Sequence, residues 1–387
     1  TPIPMIYCEH CGWVPEKEEN LPVLLPTDVE FTGKGESPIA TSKTFVDTVC
    51  PVCGKPAKRE VDTMDTFLDS SWYFLRYCDA RNDKAAFDPE KARYWMNVDQ
   101  YIGGVEHAIL HLMYARFFQM VFYDLGLTDK EEPFENLLTQ GMVIKDGKKM
   151  SKSRGNTVDP FKLFEKYGAD ATRWYLLSVS PAWTPTKFDE DGLIDVVSKF
   201  FGTLRNVYNF FVLYSNQDEV DVDKVFVDYD KRPELDRWIL SKYNGLIADV
   251  TYSFEHYDHM RVVRAITDFV TEDLSNWYIR RARRRFYAPD MTEDKKSVYA
   301  TTYEVLVGVA KLIAPIAPFI SDEMYTKLTG EESVHLAYFP KAKEELINKS
   351  VEERMDLVRD LVALGRGTRE KERIKVRQPL SEILVDG

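Results

Sequence analysis

The chain has 387 residues, 44% of them apolar and 29% charged, and a net charge of −12. It is too long for one domain of the commonest size and apolar enough to bury a core, so two or three domains are expected and wholesale disorder is excluded. No apolar run reaches the ~18 residues that span a bilayer, and the acidic balance excludes a surface coated for nonspecific nucleic-acid binding while leaving room for local basic patches. Thr1-Pro2-Ile3-Pro4 is no targeting segment, so cytoplasm is the default, and the missing initiator Met reads as a trimmed chain.

Residues 1–61 are rich in turns, with short apolar runs such as Leu21-Pro22-Val23-Leu24-Leu25-Pro26, and read as a ribbon plus irregular strands. Four of the five cysteines fall in two pairs, Cys8-Glu9-His10-Cys11-Gly12 and Cys50-Pro51-Val52-Cys53-Gly54. Each C-x-x-C turn can point two thiolates at one ion, and the following Gly relaxes the backbone there. A structural zinc held by Cys8, Cys11, Cys50 and Cys53 is therefore expected. Redox pairs and cysteines kept only for packing are the competing readings, and His10 is the alternative ligand. A disulfide scaffold does not suit a long cytosolic chain.

Residues 62–190 alternate short apolar runs with longer helical ones. Val98 to Gly104 reads as a buried strand ending in glycines. Val105 to Leu125 reads as a helix apolar nearly all round, and Leu137 to Val143 as a second strand. Strand, helix, strand in that order predicts a parallel α/β unit. His107 and His111, four apart, share a helix face. Glu106-His107 with His111 lacks the His-Glu-x-x-His order of zinc proteases, and buried structural histidines are the plain reading.

Residues 191–342 are helical throughout, over Val196–Tyr214, Pro233–Tyr252, His259–Arg285 and Lys296–Leu328, which predicts an all-α bundle. Arg280-Arg281-Ala282-Arg283-Arg284-Arg285 puts five guanidiniums into six helical residues, beside Trp277, Tyr278, Phe286 and Tyr287. Phosphate contact and base stacking with a nucleic acid fit that mixture; a solvated face pairing with the acidic excess is the alternative. Residues 343–387 read as a charged helix and then, in KERIKVRQPLSEILV, a turn into a strand.

One loop remains. In DGKKMSKSRGN, residues 146–156, Gly147 and Gly155 bracket Lys148, Lys149 and Lys152, with Ser151 and Ser153 between them. Small residues and ammonium groups together suit a mobile clamp on phosphate oxygens, although the phosphate loop of the common NTPases is absent. Met150 is expected to anchor the loop in apolar surroundings.

The string Lys149-Met150-Ser151-Lys152-Ser153, with Gly155-Asn156 after it, resembles the signature loop of class I aminoacyl-tRNA synthetases. DTMDTFLDSSWYF, VDQYIGGVEHAILHLMYARFF and NLLTQGMV look like the second half of a leucyl-tRNA synthetase catalytic domain. RWYLLSVSPAW, DLSNWYIRRARRRFY and KERIKVRQPLSE look more like an isoleucyl-tRNA synthetase and its anticodon-binding bundle. The resemblance implies a multidomain α/β + α protein: the second half of a Rossmann-type catalytic domain with a zinc ribbon, then an all-α anticodon-binding bundle. The family's His-x-Gly-His signature and an editing domain are not in these residues. The chain is accordingly expected to be the C-terminal part of a synthetase, whether fragment, deletion variant or one subunit of a split enzyme, with the N-terminal half as its partner, and a monomer when complete.

By the same resemblance the reaction activates leucine (isoleucine is the alternative) with ATP and magnesium and transfers it to a tRNA 3′ end. Lys149 and Lys152 would stabilise charge moving onto pyrophosphate, with Ser151 and Ser153 donating hydroxyls or holding the loop. Gly103 and Gly104 would let backbone approach the adenylate, Glu106 would accept from ribose hydroxyls, and Gln140, Gly141, Met142 and Val143 would read the adenine edge. His107 and His111 would line the amino-acid and adenylate pocket, completed by Ser70, Tyr73 and Tyr101. Trp277, Arg280, Arg281, Arg283 and Arg284 would contact tRNA. A reading of another class, a noncatalytic tRNA-binding module, has no need of the lysine loop.

Overall fold

A C-x-x-C turn closes each of two short hairpins at the start of the chain. β1 (Met5–Cys8) pairs antiparallel with β2 (Gly12–Pro15) around the first, and β3 (Asp47–Val49) with β4 (Pro56–Arg59) around the second. Pairing of β1 with β4 makes one sheet of order β2-β1-β4-β3. Gly12 and Gly54 follow the second cysteine of each pair at φ 72° and 71°, a region a Cβ disfavours. Ile6, Val14 and Ala57 turn inward beside Cys8 and Cys50, as period-two alternation requires. α1 (Lys43–Val46), capped by the Ser42 hydroxyl, leads into β3. The run Leu21–Pro26 forms no strand, and Leu24 and Leu25 are exposed; its prolines remove ladder donors. The computed structural model describes every residue except 32, 34, 36, 223, 383 and 385–387.

Three short helices follow, α2 (Thr66–Asp69), α3 (Tyr73–Cys78) and α4 (Pro89–Trp95). β5 (Tyr101–Gly104) then pairs in parallel with β6 (Leu137–Gln140), with α5 (His111–Asp124) between them in the chain, as the strand–helix–strand pattern predicts. Two expectations fail here. The helix is not continuous from Val105: a 3₁₀ turn covers Val105–Ile109 and the backbone breaks at Leu110 before α5 begins. Nor are these elements buried all round. α5 buries Leu112, Ala115 and Gln119, while Met113, Phe117 and Leu125 stay exposed, as does Ile102 on β5. A two-stranded sheet covers one face of a helix, and the rest of an all-apolar helix then meets water. These elements make up the first of two compact units, Thr1–Gln140; the second is Gly141–Gly387.

The second unit opens with a three-stranded sheet in which β7 (Val143–Lys145) is antiparallel to β8 (Lys148–Lys149) and parallel to β9 (Thr186–Lys187). α6 (Pro160–Tyr167) and α7 (Ala169–Ser178) lie in sequence between β8 and β9. α8 (Glu190–Asp195) runs through a π-helical turn into α9 (Gly202–Gln217); α10 (Glu234–Glu255) follows. α11 (His259–Asp268) continues through a π-helical stretch, Phe269–Ile279, into α12 (Arg280–Phe286). The predicted helix Lys296–Leu328 is two helices, α13 (Glu293–Ile313) and α14 (Pro318–Thr329), because Pro315 and Pro318 cannot continue the ladder. α15 (Lys349–Lys371) ends the described regular structure. No strand follows it among the described residues, and part of the predicted strand lies outside them.

One large core, with Trp174, Trp238, Tyr278 and Phe286 fully buried in it, joins these helices. Asp236, itself fully buried, accepts from the Tyr278 hydroxyl (2.9 Å), Ser297 Oγ (2.5 Å) and two guanidinium nitrogens of Arg285 (2.5 and 2.8 Å). The break between α13 and α14 is sealed by α7. Asp170 accepts from the backbone N–H groups of Phe319 (3.3 Å) and Ile320 (2.7 Å), and Arg173 donates to the carbonyls of Ile316 (2.7 Å) and Pro315 (3.2 Å). Each charge thus meets the helix end it favours electrostatically.

Candidate functional site

The two hairpins bring the sulfurs of Cys8, Cys11, Cys50 and Cys53 within 4.8 Å of one another, with Cys8 and Cys53 at 3.6 Å. Four sulfurs about 2.3 Å from one ion at tetrahedral corners stand about 3.8 Å apart, so the cluster has the size of a four-thiolate metal cage. His10 is not part of it. Backbone N–H groups, Cys53's first, draw the Cys50 thiol down to about 7, while its hydrogen bond with Cys53 pushes the Cys11 thiol up to about 12. Cys78 stands apart, half-buried, bonded to the Phe74 carbonyl (3.4 Å).

Downstream in the first unit, Tyr73 on α3, Tyr101 on β5 and His111 at the start of α5 form a chain. The two phenol oxygens are 2.8 Å apart, and the Tyr101 oxygen is 2.7 Å from His111 Nε2. Burial, then the charge of His107, lowers the His111 pKa. Burial, then the hydrogen bond to Tyr73, raises that of Tyr101. A neutral His111 accepts from the Tyr101 hydroxyl at Nε2 or donates to it, according to its tautomer. His107 stands edge-on to His111 at 6.2 Å although the helix between them is broken, and its Nδ1 is buried without a partner. Phe67, which sequence reading did not single out, packs against both imidazoles. Ser70 caps α2 and donates to the Phe67 carbonyl (3.2 Å).

A cavity of about 220 Å³ is lined by Tyr101, Ile102, Gly103, Gly104, His107, His111, Leu112, Leu137 and Thr139. The carboxylate of Glu106, exposed, folds back over Gly104 so closely that a Cβ there would collide with it, whereas Gly103 faces open space. Gln140 ends β6.

Gly141, Met142 and Val143 open the second unit. Gly141 donates to the Ala182 carbonyl (2.9 Å), and a Cβ on it would fall inside the Thr184 backbone. The lysine loop has a defined frame. Asp146 (φ 53°) and Gly147 (φ 70°) form the tight turn between β7 and β8, a turn that Asp-Gly favours and that the sequence could have disclosed. Asn156 reaches back, its Oδ1 accepting from Ser151 N (2.9 Å) and its Nδ2 donating to the Lys149 carbonyl (3.3 Å). Ser151 and Ser153 hydroxyls lie 3.2 Å apart. Met150 packs on the large core, as expected of an anchor. Lys148, Lys149 and Lys152 are exposed and have no carboxylate at ion-pair distance among the described residues.

On α12 the arginines divide. Arg285 turns inward to Asp236, and Tyr278 and Phe286, expected beside an RNA face, belong to the core. Arg280, Arg281, Arg283 and Arg284 are exposed, with no carboxylate partner among the described residues. Arg281 lies over the half-buried Trp277 ring (4.8 Å), as does Arg359 (5.5 Å) from α15. The Trp277 Nε1 donates to Met355 Sδ (3.2 Å).

Residues 12–189 match the family described as tRNA synthetases class I (I, L, M and V), and residues 236–384 match the anticodon-binding domain of tRNA ligase. The chain is 39% identical to the leucine–tRNA ligase of Thermosipho melanesiensis over 90% of its own length and 40% of that protein's. It is 38% identical to that of Dehalococcoides mccartyi, over 100% and 46%. Identity to the isoleucine–tRNA ligase of Porphyromonas gingivalis is 39%, over 92% and 31%. Among solved structures, the agnB2 LeuRS of Agrobacterium radiobacter K84, in a ternary complex with tRNA and LeuAMS, superposes with a TM-score of 0.72 at 32% identity, covering 90% of this chain and 42% of that one. The chain belongs to the class I aminoacyl-tRNA synthetase family. Within that class it is a homologue of the leucyl-tRNA ligases, and it spans less than half the length of the relatives it matches. No described helix is long and apolar enough to cross a membrane.

Proposed function

We propose that this chain is the C-terminal part of a leucine–tRNA ligase, contributing to ATP-dependent formation of leucyl-adenylate and to its transfer to tRNA(Leu). The observation that carries this reading is the lysine loop: exposed ammonium groups, with no carboxylate partner among the described residues, on a loop that Asn156 ties at Lys149 and Ser151 and that Met150 packs down. In-line attack at the α-phosphorus moves negative charge onto the departing pyrophosphate, and fixed cations stabilise that transition state more than the ground state. Lys149 and Lys152 supply them, with Ser151 and Ser153 as hydroxyl donors. Glu106 takes the ribose hydroxyls. Gly103, Gly104 and the stretch Gln140–Val143 offer backbone to the adenylate. Ser70, Tyr73, Tyr101, His107 and His111 line the amino-acid pocket.

The cysteine cage would hold zinc through four thiolates, a structural role that leaves no coordination position for substrate. Magnesium would accompany ATP, and no protein ligand is assigned to it. The open apolar faces of β5 and α5 support an N-terminal half as partner, the whole acting as a cytoplasmic monomer. The functional divisions are 1–61, 62–190, 191–342 and 343–387. Trp277 and the four unneutralised arginines of α12 contact tRNA; Arg283→Ala with Arg284→Ala should weaken binding and flatten its salt dependence.

The test is amino-acid-dependent ATP–pyrophosphate exchange, with this chain joined to a His-x-Gly-His-bearing half from a leucine relative. Leucine should drive exchange, and Lys149→Ala or Lys152→Ala should lower the rate about 10²–10³-fold. The isoleucine relative keeps a second reading in play: exchange driven by isoleucine alone would overturn the pocket assignment. RNA binding without any exchange would favour the noncatalytic module.

A further inference from the structure

Between α5 and β6 the chain closes a small cavity of about 90 Å³ against α4 and α5. Its polar lining is Arg93 near the end of α4, Asn97 just beyond it, Gln119 on α5, and Thr128, Asp129 and Lys130. Gln119 is 1% exposed and Thr128 is buried. Gln119 Nε2 donates to the Lys130 carbonyl (2.8 Å) and to Thr128 Oγ1 (3.2 Å), and Asn97 Nδ2 donates to the Glu132 carbonyl (2.7 Å). A carbonyl only accepts, so neither amide can be turned round. The other end of each, Gln119 Oε1 and Asn97 Oδ1, is thereby fixed as an acceptor, and both oxygens are buried with no donor among the described residues. Two orphaned acceptors beside one cavity break the rule that buried polar atoms are paired.

The rest of the lining has little to give them. The Thr128 hydroxyl hydrogen goes to the Lys130 carbonyl (3.3 Å), Arg93 Nε goes to the exposed Asp129 carboxylate (3.1 Å), and the Lys130 side chain is exposed. A water molecule would give two hydrogens and find almost no donor in return, whereas a cation needs acceptors alone. Divalent ions favour a higher count of charged ligands, and the one carboxylate here is already neutralised by Arg93. Neutral amide, hydroxyl and carbonyl oxygens suit a hard ion of single charge.

We propose that this cavity binds one monovalent cation, potassium, sodium or ammonium, through Gln119 Oε1 and Asn97 Oδ1, with Thr128 Oγ1 and the Lys130 carbonyl beside them. The ion ties the end of α4 and the middle of α5 to residues 128–132. That segment, where Glu132 also receives Arg116 of α5 (2.8 Å), leads into β6, the strand that ends in Gln140. The site owes nothing to the ligase reading and stands or falls apart from it.

The experiment follows amide exchange of residues 128–132 in the zinc-loaded full chain, at one ionic strength, in potassium, sodium, ammonium or tetramethylammonium chloride. Exchange should slow about tenfold when the preferred ion stands at about ten times its dissociation constant, and the order of the three small ions identifies which is bound. Tetramethylammonium, too bulky to reach the amide oxygens, should give no protection. Gln119→Leu keeps the bulk and removes the oxygen, so it should abolish the difference between salts; if that variant fails to fold, Asn97→Ala carries the same expectation. Equal exchange in all the salts would overturn the proposal and leave the cavity to water. A difference between salts that survives unchanged in the folded variants would overturn it as well, by placing the ion elsewhere.

Discussion

The two units solve the burial problem differently. In Gly141–Gly387 one cluster gathers Trp174, Trp238, Tyr278 and Phe286 with apolar residues from every helix between α7 and α14, leaving most of them no contact with water. In Thr1–Gln140 the apolar residues form two small clusters, one around the cysteine ribbon and one around Phe74 and Leu75. Residues as large as Phe117 and Trp95 remain more than half exposed. Hydrophobic burial scales with area removed from water, so the second unit has most of what it needs within its own sequence. The first relies on sulfur chemistry in the ribbon and on a sheet whose β5 carries only one neighbour among the described residues.

Metal removal should separate the two most sharply. The ribbon's apolar cluster holds three non-cysteine residues, Ile6, Val14 and Ala57, too little to fold unaided. Full chelation, or Cys8→Ser, should abolish amide protection in residues 1–61 and the binding of about one zinc per chain, while the bundle's unfolding transition stays in place. Retained protection in the metal-free ribbon would mean that its packing suffices. Next in size is Asp236→Ala, which strands the Tyr278 and Ser297 hydroxyls in the core and leaves Arg285 only its half-exposed partner Asp294; it should cost the second unit about 3–5 kcal/mol in denaturant titration, leaving the ribbon alone. Gly141→Ala comes third. Its Cβ would press on the Thr184 backbone, which cannot yield as a side chain can, so a loss of about 1–3 kcal/mol is expected in the same titration.

The smallest effect is a pH dependence confined to the first unit. Burial, then His107, holds the folded His111 below the usual ~6.5, so the unfolded chain takes up the proton first on acidification. Stability contributed above about pH 6.5 should therefore be lost as pH falls from there toward the lower folded value. His111→Gln should remove that slope in residue-resolved exchange; an unchanged slope would place the titration elsewhere.

What the sequence disclosed follows the same division. Helices of the bundle were legible because their signal is local, an apolar stripe at helical spacing, and the one mistake there, joining α13 to α14, ignored Pro315 and Pro318. The metal cage was legible because C-x-x-C-Gly encodes its own turn. The burial of β5 and α5 was not, because apolar character says that a residue favours cover without saying what provides it. In the candidate site, Tyr73, Tyr101 and His111 could be named, yet their hydrogen-bonded order needed three elements to meet. Phe67 gave no signal at all. The inward turn of Arg285 was equally hidden, since it depends on Asp236 forty-nine residues away.

The capping of the α13–α14 break by Asp170 and Arg173 bears on how the molecule can be divided. By pattern alone the helical bundle begins near residue 190, and a truncation for separate expression would be made there. Such a cut discards α7, stranding the amide of Ile320 and the carbonyl of Ile316 at the elbow of two long helices. The shortest separable piece accordingly starts ahead of α7. The second helix after the lysine loop is then a keystone of the bundle, so a cut placed by pattern between the two would damage the bundle it was meant to isolate.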